Sequence, residues 1–80
     1  MVTLLYFAWV REAVGQGEER LDLPSDIVTA GDLADWLATR DPGFATREKL
    51  RVAVDQEMAD WKTDVRTARE IAFFPPVTGG

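Results

Sequence analysis

The sequence predicts an α+β domain in which one main helix packs against a β-sheet. Several short runs have strand character, and one run near residues 29–40 repeats its apolar residues with helical spacing. Along the chain these elements follow the order strand, strand, helix, strand, short strand, strand. A chain of 80 residues is long enough for one small domain with a thin core. The first and last strands are the most apolar, so we expect them to lie together in the middle of the sheet.

The first predicted strand spans residues 2–10, which are almost continuously apolar. Alternation places one set of side chains on the core face: Val2, Leu4, Tyr6, Ala8 and Val10. The opposite face then presents Leu5, Phe7 and Trp9 without an obvious cover. We interpret these three residues as a partner surface, because large exposed apolar patches commonly mark interaction sites. Two alternatives stay open: a strand buried on both sides, and a patch that the chain's own tail covers.

A turn and an edge strand follow. Gly15 and Gly17 indicate the turn, and residues 18–23 then alternate sufficiently for a second strand that Pro24 ends. The two glycines do not match a phosphate-binding loop, since neither a Lys-Ser/Thr pair nor a predicted helix follows them.

The main helix is predicted to begin at Thr29, a favourable N-cap residue with a weak capping-box partner at Asp32. Residues 41–43, which read Asp-Pro-Gly, stop it. One helical stripe carries Leu33, Trp36, Leu37 and Arg40, and we interpret Trp36 as a core residue.

The second half of the chain predicts three more strands. Residues 52–54 form a short buried strand, residues 55–57 turn the chain, and Met58 starts a return strand. Residues 60–69 are mostly polar and predict a loop before the last strand at residues 70–74. The two faces of that last strand carry, on one side, Ile71 and Phe73 and, on the other, Ala72 and Phe74.

The chain ends in a tail, residues 75–80, that reads PPVTGG. Proline lacks a backbone donor and ends sheet pairing, and two prolines in succession favour an extended backbone, so the tail reaches roughly 20 Å. Gly79 and Gly80 are slim enough to enter a channel that rejects any Cβ. The carboxylate of Gly80 is ionised at neutral pH, and a partner that adenylates it makes it a good acyl donor. We therefore predict a domain over residues 1–74 that presents a functional tail; the alternative is an ordinary frayed terminus.

Composition excludes several classes of function. The net charge of −5 argues against a nucleic-acid surface and suits a basic partner. The chain has no cysteine and no histidine, which removes thiolate chemistry, the usual general base and the usual zinc ligands. No apolar run approaches the ~18–20 residues that span a bilayer, and the N-terminus does not read as a signal peptide. We expect a cytoplasmic protein with no metal and no permanently bound cofactor.

Three segments resemble a known family, the small subunits of molybdopterin synthase. Residues 70–80, which read EIAFFPPVTGG, resemble the C-terminus of that family. Residues 4–15 resemble its first strand and the turn that follows, and residues 52–56 resemble its central hairpin. The chain departs from the family at Ala68 and Arg69, where Gly-Asp is common.

The resemblance implies a ubiquitin-like β-grasp fold, a mixed sheet packed on one main helix with an extended C-terminal tail. It also implies a role as a sulfur carrier that is not catalytic alone. An E1-like enzyme would use ATP to adenylate Gly80, and a sulfur-donating enzyme would supply the sulfur of a thiocarboxylate. That sulfur would then pass to a cyclic pyranopterin phosphate to build molybdopterin.

The resemblance further implies a large-subunit partner, in a heterotetramer, whose active site receives the tail. Gly79 would be the slim neighbour of the sulfur-bearing Gly80. The residues that would line the channel are Pro75, Pro76, Val77 and Thr78. Phe7 and Phe74 would contact the large subunit together with Leu5 and Trp9, which the strand pattern leaves uncovered.

Two other functions fit the same tail. One is a sulfur carrier of another pathway, such as thiamine synthesis or tRNA thiolation. The other is a ubiquitin-like modifier that joins Gly80 to a lysine of a target protein. All three functions begin with adenylation of the terminal carboxylate, so the tail by itself does not separate them.

Overall fold

The computed structural model describes residues 1–45 and 47–76, and these form strands, helices and short 3-10 turns. In chain order the elements are β1 (Val2–Tyr6), α1 (Trp9–Val14), β2 (Glu18–Leu21), α2 (Ala30–Ala38), the 3-10 turns Pro42–Ala45 and Arg47–Lys49, β3 (Arg51–Val54), β4 (Glu57–Ala59) and β5 (Glu70–Phe74). Four of the predicted tail residues lie outside the described part of the chain, so the roles given to them stay predictions: Val77, Thr78, Gly79 and Gly80.

The strands form one mixed sheet in the order β2-β1-β5-β3-β4. β1 and β5 are parallel neighbours, whereas the other pairs are antiparallel. The prediction that the first and last strands lie together inside the sheet is confirmed, with β5 at the centre. The apolar strands thus have paired backbone groups on both sides, and the short strands β2 and β4 form the edges.

One face of the sheet packs against α2, and alternation along each strand decides which side chains reach this core. The buried residues of the two central strands are Val2, Leu4, Tyr6, Ile71 and Phe73. They share a core with Leu33 and Leu37 of the helix. At its centre the Phe44 ring lies edge-on to Phe73, with ring centroids 5.1 Å apart. Such aromatic contacts stabilise the core beyond the area they bury.

The predicted start of the main helix is confirmed by a complete capping box. The Asp32 N–H donates to Thr29 Oγ1 at 3.1 Å, and the Thr29 N–H donates to Asp32 Oδ2 at 3.1 Å. Both bonds satisfy backbone donors that a helix start otherwise leaves unpaired. Among the described residues, no helix is long and apolar enough to cross a membrane.

The prediction of a first strand that continues to residue 10 is wrong, because β1 ends at Tyr6 and α1 begins at Trp9. Between them Ala8 has φ 53° and ψ −130°, a backbone conformation that reverses the chain. The reversal brings Val10 into the core, where it is 1% exposed. Gly15 then ends α1 in the left-handed region with φ 90°, a conformation that glycine adopts without a Cβ penalty.

Candidate functional site

The tail begins at the end of β5, the central strand of the sheet. β5 ends at Phe74, and Pro75 and Pro76 follow it outside the strand and partly buried. On one side of this exit the Phe7 N–H donates to the Phe73 carbonyl at 3.1 Å, so the chain after β1 stays beside β5. On the other side Arg51 of β3 is the register partner of Phe74. The base of the tail is therefore held between two neighbouring segments.

The sheet face that points away from α2 carries a continuous apolar row. Register pairs link Leu5 to Ala72, Ala72 to Ala53, and Ala53 to Met58. Directly paired residues project their side chains to the same side of a sheet. We call this surface the open face and define it by Leu5, Ala53, Met58, Ala72 and Phe74.

Three of the predicted interface residues meet at this face near the tail exit. Phe74 lies on the open face because its neighbour Phe73 is buried on the other side. Leu5 is half-buried at the β1 end of the row, and Phe7, which is 49% exposed, directly follows β1. An apolar face with a protruding aromatic ring has the composition of a protein-docking surface.

Trp9, the fourth predicted interface residue, lies elsewhere. It belongs to α1 and packs against the 3-10 turn Pro42–Ala45. The indole lies so close to Gly43 that a Cβ at this glycine would be 3.2 Å from Trp9 Cζ3. The strand alternation that placed Trp9 beside Leu5 and Phe7 does not extend past Tyr6. Trp9 therefore does not belong to the open face.

Met58 is the large open-face side chain that the sequence does not predict as an interface residue. It is 68% exposed and ends the row on strand β4. A signal was present, because Met58 was predicted to start a return strand after a turn. The predicted turn at residues 55–57 pairs Met58 with Val54, whereas the two-residue turn of the structure pairs Met58 with Ala53 and so moves it to the open face.

A polar network fixes the edge strand β2 on the opposite side of the sheet. The Tyr6 hydroxyl donates to Glu19 Oε1 at 2.9 Å, and Arg40 Nη2 donates to the same oxygen at 2.8 Å. The hydrogen bond from Arg40 holds the pKa of the Glu19 carboxyl below its ordinary value. Burial and the Glu19 contact raise the pKa of Tyr6 above its ordinary value. This network joins β2, β1 and Arg40, which lies two residues after α2, and so stabilises the sheet behind the open face.

In the part of the chain that the structure describes, no group of three or more acidic, histidine or cysteine side chains could hold a metal ion. The described residues also include no buried charged side chain. The arrangement that remains is the apolar open face with the start of the tail at its edge.

The element order, the mixed sheet and the helix across one face define a ubiquitin-like β-grasp domain. The family model described as "ThiS family" matches residues 4–80, so the chain belongs to the ThiS family. A molybdopterin synthase sulfur carrier subunit of Haemophilus influenzae is 37% identical over 100% of both chains. The corresponding subunit of Escherichia coli is 35% identical, also over 100% of both chains. The resemblance to small subunits of molybdopterin synthase is thereby confirmed.

The fold of this chain is also similar to that of solved structures. The crystal structure of small archaeal modifier protein 1 from Haloferax volcanii has a TM-score of 0.72 and 29% identity. The match covers 95% of this chain and 97% of that protein. The predicted β-grasp fold is confirmed.

Proposed function

We propose that this chain is the sulfur carrier subunit of a molybdopterin synthase, and that its terminal glycine carries the sulfur as a thiocarboxylate. The observation that carries the proposal is the continuity between the open face and the tail, which begins one residue after Phe74. The full-length similarity to sulfur carrier subunits supports it.

The chemistry starts at the carboxylate of Gly80. A carboxylate oxygen attacks the α-phosphorus of ATP on an E1-like enzyme, pyrophosphate leaves, and an acyl-adenylate forms. A sulfur-donating enzyme then supplies sulfur at the oxidation level of sulfide, which attacks the acyl carbon, and AMP leaves as the thiocarboxylate is formed. Neither step needs an acid or base from this chain, which agrees with the absence of histidine and cysteine.

The tail sequence suits delivery of this group into a narrow site. Gly79 and Gly80 have no Cβ, so the last residues fit a channel too narrow for larger side chains. Pro75 and Pro76 restrict the backbone at the base, which reduces the entropy lost when the tail is inserted. Val77 and Thr78 would contact the channel wall between these two parts.

The open face would bind the large subunit while the tail occupies its active site. Phe74 and Phe7 would act as aromatic anchors, and Leu5 and Met58 would extend the apolar contact across the sheet. We propose a heterotetramer of two small and two large subunits, in which sulfur passes to a cyclic pyranopterin phosphate. We expect this reaction to take place in the cytoplasm.

The test is mass spectrometry of the chain after incubation with the E1-like enzyme, ATP and a sulfur donor from the same genome. We expect an oxygen-to-sulfur mass change confined to the terminal peptide. The product should then yield molybdopterin when mixed with the large subunit and the cyclic pyranopterin phosphate. An unmodified C-terminus under these conditions would refute the proposal.

A second candidate function is protein modification, which the similarity to a small archaeal modifier protein favours. A modifier would form an isopeptide bond between Gly80 and a lysine, with AMP as the leaving group after adenylation. Mass spectrometry of tryptic peptides from cells separates the two functions. Lysine residues that carry the C-terminal remnant of this chain indicate a modifier. A free thiocarboxylate indicates a sulfur carrier. A carrier of the thiamine or tRNA pathway would form the thiocarboxylate without yielding molybdopterin.

A further inference from the structure

Arg51 lies on the open side of the sheet, beside the point where the tail begins. It is the first residue of β3 and the direct register partner of Phe74, the last residue of β5. The next pair along the two strands, Val52 and Phe73, is buried on the core side. Alternation therefore places Arg51 and Phe74 together on the outer side, where Arg51 is exposed.

Within residues 1–45 and 47–76, the Arg51 guanidinium donates to a single acceptor. Its Nη1 donates to the carbonyl of Leu50 at 2.9 Å, and the Leu50 side chain is fully buried. A guanidinium has five N–H donors in a planar fork, so one bond orients the group and leaves the remaining donors for another acceptor. The Arg51 side chain is thus oriented beside the start of the tail and keeps hydrogen-bond donors that can bind a partner.

Four of the other arginines in the described part of the chain have carboxylate partners. Within residues 1–45 and 47–76, the arginines that form ion pairs are Arg20, Arg40, Arg47 and Arg66. Arg51 is not among them, and neither are Arg11 and Arg69, although the chain carries 14 acidic residues against 9 basic ones. Of these three arginines, Arg51 is the register partner of Phe74 beside the start of the tail. An unneutralised arginine next to an apolar docking face, in an acidic protein, has the charge to recognise an acidic group from outside.

We propose that Arg51 is a specificity-determining residue that binds a carboxylate on the protein that receives the tail. Any such protein must approach the strand ends around Phe74, because Pro75 follows directly. Arginine forms two parallel hydrogen bonds with a carboxylate, which adds orientation to attraction. Arg51 and the aromatic Phe74 together then fix how the partner sits on the open face, since arginine and aromatic residues dominate binding energy at interfaces.

This inference rests on the proposed function, with the synthase large subunit as the occupant of the open face. The overall negative charge of the chain suits a partner whose surface is basic away from the group that faces Arg51. The partner surface should therefore be basic over most of its area and carry an acidic group opposite Arg51. A wrongly rotated complex would place Arg51 against a basic region, which is unfavourable and so excludes that orientation.

The experiment compares Arg51→Glu with Lys62→Glu as the matched control. Both substitutions replace an exposed cation by a carboxylate and change the net charge equally. Lys62 follows Trp61, whose carbonyl accepts a hydrogen bond from the Gly31 N–H of α2, so it lies on the helix side of the sheet. Binding to the large subunit is measured by titration calorimetry at low and at high salt, together with the melting temperature of each variant.

We expect Arg51→Glu to weaken binding at least about tenfold at low salt, and Lys62→Glu to change it less than about twofold. The Arg51→Glu loss should shrink at high salt, because screening weakens the repulsion between the introduced carboxylate and that of the partner. Arg51→Lys should retain part of the affinity, since a lysine keeps the charge but loses the planar fork. Melting temperatures should stay close to that of the wild-type chain.

The outcomes separate this inference from the function on which it rests. If the wild-type chain does not bind the large subunit, both the proposed function and the role of Arg51 are refuted. If the wild type binds, and Arg51→Glu binds equally well or loses no more affinity than Lys62→Glu, the role of Arg51 alone is refuted. A loss that is independent of salt and accompanied by a lower melting temperature would also refute it, by assigning Arg51 to the fold.

Discussion

Asp55 and Glu70 hold each other through two reciprocal hydrogen bonds. The Asp55 N–H donates to the Glu70 carbonyl at 2.8 Å, and the Glu70 N–H donates to Asp55 Oδ1 at 3.0 Å. The same carboxylate oxygen accepts from the Arg69 N–H at 2.9 Å. The β3–β4 turn therefore supplies the acceptor that orders the entry to β5. This explains how Ala68-Arg69 is accommodated where the related family commonly has Gly-Asp.

Asp55→Ala should lower the free energy of unfolding by about 1–2 kcal/mol. The substitution leaves two backbone donors without their acceptor. It also places alanine at φ 50°, which Asn and Asp tolerate better. Urea denaturation measures the change, and Asp55→Asn is the control because it keeps an acceptor oxygen and the turn preference. Equal losses in both variants would contradict the role of the carboxylate.

Phe74→Ala should weaken binding to the large subunit by about 2–4 kcal/mol and leave the melting temperature near that of the wild type. Phe74 is only half-buried and faces the open side, whereas its neighbour Phe73 is 0% exposed in the core. Phe73→Ala is the matched control, and it should cost about 3–5 kcal/mol of stability. Calorimetry and thermal unfolding distinguish the two effects. If Phe74→Ala unfolds the protein and the folded fraction binds normally, Phe74 belongs to the core instead.

Deleting Gly80, or adding one residue after it, should abolish sulfur transfer and leave stability and docking unchanged. The deletion leaves a competent carboxylate on Gly79, but roughly 3.5 Å short of its position. A misplacement of even ~1 Å can lower a rate about a hundredfold. Thiocarboxylate formation and molybdopterin yield are the readouts. Full activity in either variant would show that the terminal carboxylate is not the reacting group.

Ala8→Gly should raise the free energy of unfolding by about 1 kcal/mol. Ala8 has φ 53° and ψ −130°, a region that residues with a Cβ occupy only under strain. Glycine removes that strain, and the gain is partly offset by the greater freedom of glycine in the unfolded chain. Ala8→Val is the opposing control and should be destabilising, because a β-branched side chain fits a positive φ poorly. Chemical denaturation that ranks the three proteins in any other order contradicts the assignment.

The Glu19 network should make stability depend on pH in the acid range. The pKa of Glu19 is lower in the folded state than its ordinary value, so the unfolded chain binds the proton more readily. The stability from this group is therefore present above the ordinary carboxyl pKa, and it is lost as pH falls through the folded pKa. Glu19→Gln should flatten this part of the profile, as followed by denaturation between about pH 3 and 6. An unchanged acid slope would count against the Arg40–Glu19 contact as its source.

The sequence alone determined the features that depend on neighbours along the chain. The cap at Thr29 and the apolar stripe after it located α2, because capping and helical periodicity act within a few residues. The strand 70–74 and its two faces were also predicted correctly, since alternation shows which side chains are buried and Pro75 ends the pairing.

Tertiary structure alone decided where β1 ends and which residues share the open face. The apolar run through Val10 is compatible with a strand or a helix, and the burial of Val10 in the core selects the helix after the reversal at Ala8. Met58 and Ala53 meet Ala72 through register pairs between strands distant in sequence. No local pattern encodes such a register, because a shift of one residue exchanges the two faces of a strand and only packing against the core distinguishes them.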